Sequence, residues 1–218
     1  VEFPVEIRLP RVNQVQVHAK IGLDFARVLR TTLRLDPDLI LIGEMRDAET
    51  GEIALRAAMT GHLVLSTLHT NDAASTALRL IDMGLEPYLV ASTVHAIVAQ
   101  RLVRRLCEKC RTETAPDAGQ QAWLRGALGD ASAQATFYTG AGCNNCNHTG
   151  YRGRTGVYEL LEMDAQLIDC LRRNDQGGFE KAARAQPGYR PLVQHALELA
   201  RAGITSVDEA MGLAGWME

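Results

Sequence analysis

Lysine is scarce in this chain of 218 residues: three occur against twenty arginines, and none of the three follows a glycine. Lys20, Lys109 and Lys181 come after Ala, Glu and Glu. A glycine-rich loop ending in Gly-Lys-Ser/Thr, the usual cradle for nucleotide phosphates, is therefore absent. No apolar run approaches the roughly 20 residues that a membrane helix needs. No signal peptide, acidic tail, internal repeat or low-complexity tract appears within these residues. The net charge of -3 supplies no global basic field for nucleic acid. The opening "VEFPVEIRLP" has no initiator Met and reads as the start of a fragment. Five cysteines, an odd number without a secretory signal, argue against a disulfide scaffold and for a reducing cytosol.

What is present includes "LDPDLILIGEMRD", residues 35 to 47. Leu39, Ile40, Leu41 and Ile42 read as a buried strand that runs into Gly43, Glu44, Arg46 and Asp47. The carboxyl end of such a strand is where an open parallel sheet keeps its ligand site. A carboxylate there can hold magnesium through a water, or orient a water that attacks phosphate. Asp47 has the competing role of helix N-cap and is read as structural.

Strand and helix alternate as far as residue 106, which argues a parallel α/β sheet. "VNQVQV" (12–17) and "HLVLSTL" (62–68) read as strands. Leu23, Ala26, Leu29 and Leu33 form a helical stripe that Pro37 ends. A helix is expected from Asp47 to Met59, another over "AASTALRLIDM" capped by Asn71 or Asp72, and a long one over "PYLVASTVHAIVAQRLVRRL" (87–106) with Pro87 in its first turn. After residue 106 the texture turns to cysteine, glycine and small polar residues. A strand at "TGVYELLEM" and helices near Asp164, Phe179, Leu192–Ala202 and Ser206 follow, the last opening on a Ser206–Glu209 capping box. The division expected is a core over 1–106, a tetracysteine region over 107–150 and a strand with helices over 151–218.

Cys107-x-x-Cys110 and Cys143-x-x-Cys146 give four thiolates in two hooks, the pattern of a closed tetrahedral zinc site. Four sulfur ligands leave no open position, so the role is structural. The 32 residues between the hooks require a loop that brings the second pair back. Redox pairs or unmetallated thiols are the competing reading. Cys170, among Leu167, Ile168 and Leu171, reads as a small core residue.

His62 and His69 flank one strand, so at most one lies at its carboxyl end. His69, with Thr67, Thr70 and Asn71, is placed there beside Glu44; a satisfied polar core group is the plainer role for either histidine. The arginine bias suits bidentate phosphate contacts, and codon usage explains it equally. "RLVRRLCEKCR" (101–111) raises nucleic-acid binding, against the plainer reading of a solvated helix end.

"LRLDPDLILIGEMRDAET", "TGHLVLSTLHTNDA" and "AQRLVRRLCEKC…GCNNCNHTGYRGRTGVYELLE" together resemble the secretion-superfamily ATPases, the hexameric motors of type II secretion and type IV pilus assembly. The resemblance covers essentially the whole chain. It implies a RecA-like P-loop NTPase core, truncated at its amino end, with a tetracysteine zinc-binding loop and a carboxyl-terminal helical subdomain. It implies that Glu44 is the Walker B acid and that His62 and His69 are the histidines of the family's histidine box. "VEFPVE" looks like the aspartate box with Phe3 in place of the aspartate, Glu2 and Glu6 matching its glutamates and Glu6 a candidate for water activation. Arg30, Arg34, Arg46 and Arg154 fall where the family keeps arginines facing nucleotide or a neighbouring subunit. The implied cofactors are ATP, magnesium and structural zinc. The implied setting is a homo-hexamer on the cytoplasmic face of the inner membrane, held there by platform and assembly proteins, with no nucleic acid. The tetracysteine loop resembles that of export and assembly motors rather than retraction motors. In this family the phosphate loop lies just upstream of the aspartate box, which explains its absence. The rival reading is a zinc-stabilised interaction module without catalysis of its own.

Overall fold

The computed structural model describes residues 1–129 and 135–214, in two compact units. Residues 130–134 of the stretch between the cysteine pairs, and 215–218 of the last segment, lie outside the described residues. The first unit comprises residues 1–70, 74–97 and 162–186, and the second 71–73, 98–161 and 187 onward.

In the first unit β1 (Leu39–Ile42) and β2 (Leu63–Ser66) pair in parallel, with Ile42 opposite Ser66. α1 (Phe25–Thr32) precedes them, its cap Asp24 accepting from the Arg27 N–H. α2 (Ala48–Met59) joins them, and its N-cap is Asp47 as expected, accepting from the Thr50 N–H at 2.7 Å. Ile40 and Ile42 pack with Val17, Phe25, Leu29, Ala54 and Ala57 in one cluster, so both helices cover the same face of the strands. The other face is bare. Leu39, Leu41, Leu63 and Leu65 are each about half exposed, although parallel strands are ordinarily covered on both sides.

The strand expected over 12–17 shrinks to a single parallel bridge between Gln16 and Glu2. Gln14 and Gln16 spend their side chains on loop backbone instead, at Ile7, Leu9 and Val5. Val1 bonds to β1, its amino group donating to the Leu41 carbonyl and its carbonyl accepting from the Gly43 N–H. Backbone bonds therefore continue the sheet from β1 through Val1–Glu2 to residues 15–17. The unit is completed by most of α3 (Ala73–Asp82), by α4 (Pro87–Thr93) on α2, and by α6 (Ala165–Arg172), which packs on α4 and α7 (Gln176–Ala185). Cys170 is buried on α6 with Leu167 and Leu171.

The long helix over 87–106 does not form. α4 keeps Pro87 in its first turn but ends at Thr93, Val94 is extended, and residues 96–106 become β3 (Ala96–Leu106). Its partner is β6 (Tyr151–Glu162). Ile97, Ala99 and Val103 are buried while Val98 and Leu102 are exposed, the alternation of a strand. The apolar residues of this stretch also fit helical spacing, and the strand that decides between the two lies far downstream.

The second unit adds β4 (Arg111–Thr114), antiparallel to β5 (Phe137–Gly140) with Arg111 opposite Gly140. α5 (Ala118–Leu128) opens on a capping box between Asp117 and Gln120. α9 (Val207–Ala214) packs on α5 and on α8 (Leu192–Arg201), which also meets β5. Half of the expected cap of α9 is present: Ser206 accepts from the Glu209 N–H. The Glu209 carboxylate instead takes three hydrogen bonds from Arg104. Among the described residues no helix is long and apolar enough to cross a membrane.

Candidate functional site

Glu44 leaves the carboxyl end of β1 between two bonds that tie its backbone to the segment after β2. The Thr67 hydroxyl donates to the Gly43 carbonyl at 2.6 Å, and the Met45 N–H donates to the Thr67 carbonyl at 3.0 Å. Gly43 lets the chain approach closely: a Cβ there would stand 3.3 Å from the Val1 carbonyl oxygen and 3.4 Å from the Glu2 Cα, tight enough that the Val1–Glu2 backbone would have to yield slightly. The Glu44 residue is 9% exposed. Its Oε1 lies 2.6 Å from Arg46 Nη2, and its Oε2 lies 3.4 Å from His69 Nε2. The Arg46 hydrogen bond holds the Glu44 carboxyl below the usual carboxylate range, against the opposing effect of burial, and His69 adds to the lowering. The result is an ionised carboxylate at a strand end, with an exposed guanidinium and an exposed imidazole converging on it.

The other expected site residues do not join this cluster. His62 is at the amino end of β2, its Nδ1 3.1 Å from the Thr60 hydroxyl and 3.0 Å from the Ala57 carbonyl, at the end of α2. Arg30 pairs with Glu49 on α2. Arg34 is exposed, as is Glu6, and among the described residues no hydrogen bond or ion pair joins Glu6 to Glu44. Arg154 is exposed on β6 in the second unit. Glu2 accepts from the Gln14 side chain at 2.9 Å.

The four cysteines of the second unit do come together. Their sulfurs all lie within 4.8 Å of one another. The separations Cys107–Cys143, Cys110–Cys146 and Cys143–Cys146 are each 3.8 Å. A tetrahedron with metal–sulfur bonds of about 2.3 Å has sulfur–sulfur edges of about 3.8 Å, so the donor set and its spacing fit a tetrahedral metal ion. The second hook is brought back by strand pairing: β4 starts beside Cys110, β5 returns, and the Ala141 N–H donates to the Cys110 carbonyl at 2.9 Å. Gly140 and Gly150 touch backbone to backbone here, where a Cβ on Gly140 would fall 2.2 Å from the Gly150 carbonyl oxygen.

Donors around the sulfurs favour thiolates. The Asn145 amide donates to Cys107 Sγ, and the Cys143 and Gly150 N–H groups donate to Cys146 Sγ, each at 3.3 Å. The Asn145 bond brings the Cys107 thiol down to about 6. Burial pushes the Cys110 thiol up to about 12, a cost that a cation among the sulfurs offsets.

Two residues with notable surroundings escaped the reading of the sequence. Asn145 lies inside the second hook, and the paired asparagines of "CNNC" are the only hint of a sulfur donor. Glu159 sits on the inward face of β6 between Val157 and Leu161, and is 1% exposed. Period-two counting along "TGVYELLE" places it there, an acid among apolar neighbours.

Taken together, these features describe an α/β protein with an acid at a strand end and a tetracysteine cluster whose spacing fits a metal ion. The family model of the type II/IV secretion system proteins matches residues 1–212, and the chain belongs to that family. It is 43% identical over 212 residues to the "Type IV pilus assembly ATPase PilB" of Thermus thermophilus, covering 97% of this chain and 24% of the relative. It is 43% identical over 215 residues to the "Type II secretion system ATPase E" of Vibrio cholerae, covering 97% of this chain and 41% of the relative. Among solved structures, the pilus retraction motor PilT with bound ADP is similar with a TM-score of 0.66 at 28% identity, over 97% of this chain and 50% of that one. The chain thus spans half or less of the length of each of these three proteins.

Proposed function

We propose that this chain is the carboxyl-terminal part of the motor domain of a secretion or pilus-assembly ATPase, with a RecA-like core. In the parent it hydrolyses ATP with magnesium to drive pilin or pseudopilin assembly. The observation that carries this reading is Glu44, an ionised carboxylate at the end of a parallel strand with Arg46 and His69 aimed at it. Such a group accepts a hydrogen bond from the attacking water and holds it in line, while Arg46 and His69 offer donors to phosphate oxygens. Magnesium, when bound with nucleotide, would neutralise phosphate charge beside that carboxylate. Zinc is the ion we assign to the four cysteines, with a structural role, since all four positions are sulfur.

The bare leucine face of β1 and β2 supports the reading that another layer of the parent covers it. The phosphate loop would come from the same missing portion. We place the parent in a hexamer on the cytoplasmic face of the inner membrane, bound there by platform and assembly proteins. The similarity to PilB and secretion ATPase E at 43% identity favours assembly over retraction.

The test is Mg-ATP binding by calorimetry, with this chain beside a version extended upstream through the phosphate loop. Binding by the extended chain alone is the expected result. Tight binding by the short chain would show a phosphate site within these 218 residues and overturn the split. Binding by neither would favour the zinc-stabilised interaction module, whose metal centre is supplied in full by this chain.

A further inference from the structure

The paired asparagines of the second hook have different partners. Asn144 Oδ1 lies 3.0 Å from His148 Nε2, and both residues are exposed. Asn145 is half-buried and turns to the cysteines, its Nδ2 donating to Cys107 Sγ at 3.3 Å. At Cys146 the donors are the backbone N–H groups of Cys143 and Gly150. Cys107 receives the Lys109 backbone as well, but Asn145 adds a side chain, which a substitution can remove.

The amide is oriented from outside. Arg152, the second residue of β6, donates from Nη1 to Asn145 Oδ1 and, at 3.3 Å, to the Asn145 carbonyl. A guanidinium offers only donors, so the amide presents its oxygen to Arg152 and its NH2 group to the sulfur. The start of β6 is itself tied to both hooks. Gly150 accepts from the Cys107 N–H at 2.9 Å and donates to Cys146 Sγ at 3.3 Å. Every residue of this relay lies in the second unit.

Electrostatics give the relay a task. Four thiolates around a divalent cation carry an excess of roughly two negative charges. An N–H donor draws part of that charge from one sulfur, and a guanidinium behind the amide polarises the donor further. Groups placed behind metal ligands in this way fix their orientation and tune the metal.

We propose that Asn145 and Arg152 form the outer support of the metal centre: Arg152 orients the Asn145 amide, and the amide positions the Cys107 thiolate and relieves its charge. This rests on the reading of the four cysteines as a zinc site.

The experiment titrates zinc against a chelator in the full-length parent as wild type, N144A, N145A, N145D, R152A and N145A/R152A. N145A should hold zinc about 10- to 100-fold more weakly, the usual effect of losing an outer-shell partner. N145D should lose more, because a carboxylate oxygen then faces the thiolate. R152A should lose less, and the double variant should be no weaker than N145A, since Arg152 acts through the amide. N144A should match wild type. In the cobalt-substituted protein, N145A should also move the sulfur-to-cobalt charge-transfer band to lower energy, which a merely looser fold would not do. Wild-type affinity in N145A, a loss shared by N144A, losses that multiply in the double variant, or an unmoved band would each overturn the proposal. If N145A fails to fold, R152A decides by affinity and band, because among the described residues its side-chain hydrogen bonds go to Asn145 alone. A wild-type parent that binds no zinc would instead remove the metal reading itself, and the proposal with it.

Discussion

The two centres of this protein are built on opposite plans. The four cysteines are self-sufficient: all four candidate ligands come from this chain, three of the sulfurs belong to buried residues, and backbone and amide donors already surround them. Glu44 is itself nearly buried, yet its partners Arg46 and His69 are 62% and 90% exposed at the side chain. Such exposure leaves room for a ligand and for residues from elsewhere. A site whose task is to hold shape can be completed locally; on the proposed reading, the open site would need further groups from the parent to enclose a nucleotide.

Breaking the closed centre should give the largest effect. Cys143→Ser/Cys146→Ser removes one hook, and structural zinc sites in small domains carry apparent binding energies on the order of 10–16 kcal/mol. Metal analysis should fall from about one zinc per chain to none, with unfolding of the 107–150 segment detectable by proteolysis. Well-folded wild-type protein without metal would refute the zinc assignment. At the open centre, Glu44→Gln in the full-length parent should lower turnover by roughly 10²–10⁴-fold while ATP still binds. Near-native turnover would remove Glu44 from the mechanism.

The same contrast explains what the sequence could and could not disclose. The hooks are legible because each is a four-residue pattern whose geometry is local. Glu44 is legible because a short apolar strand that ends in an acid points to one end of a parallel sheet. His69 could be placed by chain order alone, since β2 has only two ends. That residues 96–106 form a strand rather than a helix was not legible, because their apolar spacing satisfies both periods and β6 decides between them. The cap of α3 was hidden for a related reason: its acceptor is Glu159, far along the chain, so no local capping pattern announces it. Motif position likewise says nothing of the contacts that Arg30 makes with Glu49 and His62 with the end of α2.

A smaller perturbation tests how tightly the closed centre is supported. Gly140→Ala would drive a methyl group against the Gly150 backbone, where the flexible end of a side chain is not available to yield. Overpacking of this kind costs about 1–3 kcal/mol. Chelator competition should show zinc held roughly 5- to 150-fold more weakly, on the scale of about 1.4 kcal/mol per tenfold, with the 1–70 segment unaffected by hydrogen exchange. Unaltered affinity would mean that the β4–β5 ladder shifts freely and does not position the second hook.

The smallest effect expected concerns the electrostatics of the open centre. Arg46 is the main reason that the Glu44 carboxyl ionises below its ordinary range. A carboxyl whose folded pKa is depressed contributes stability that is fully present above its unfolded value, about 4.3, and is lost as pH falls through the lower folded value. Arg46→Gln should return the Glu44 pKa toward the ordinary range, so both the acid unfolding midpoint and the acid limb of the parent's pH–rate profile should move to higher pH. The shift should be small and should shrink in salt, because the guanidinium is largely exposed and screened. The position of the limb, rather than the height of the profile, is the readout, since Arg46 also faces the proposed phosphate. An acid limb that stays in place would show that Arg46 leaves the charge on Glu44 to its other neighbours, His69 first among them.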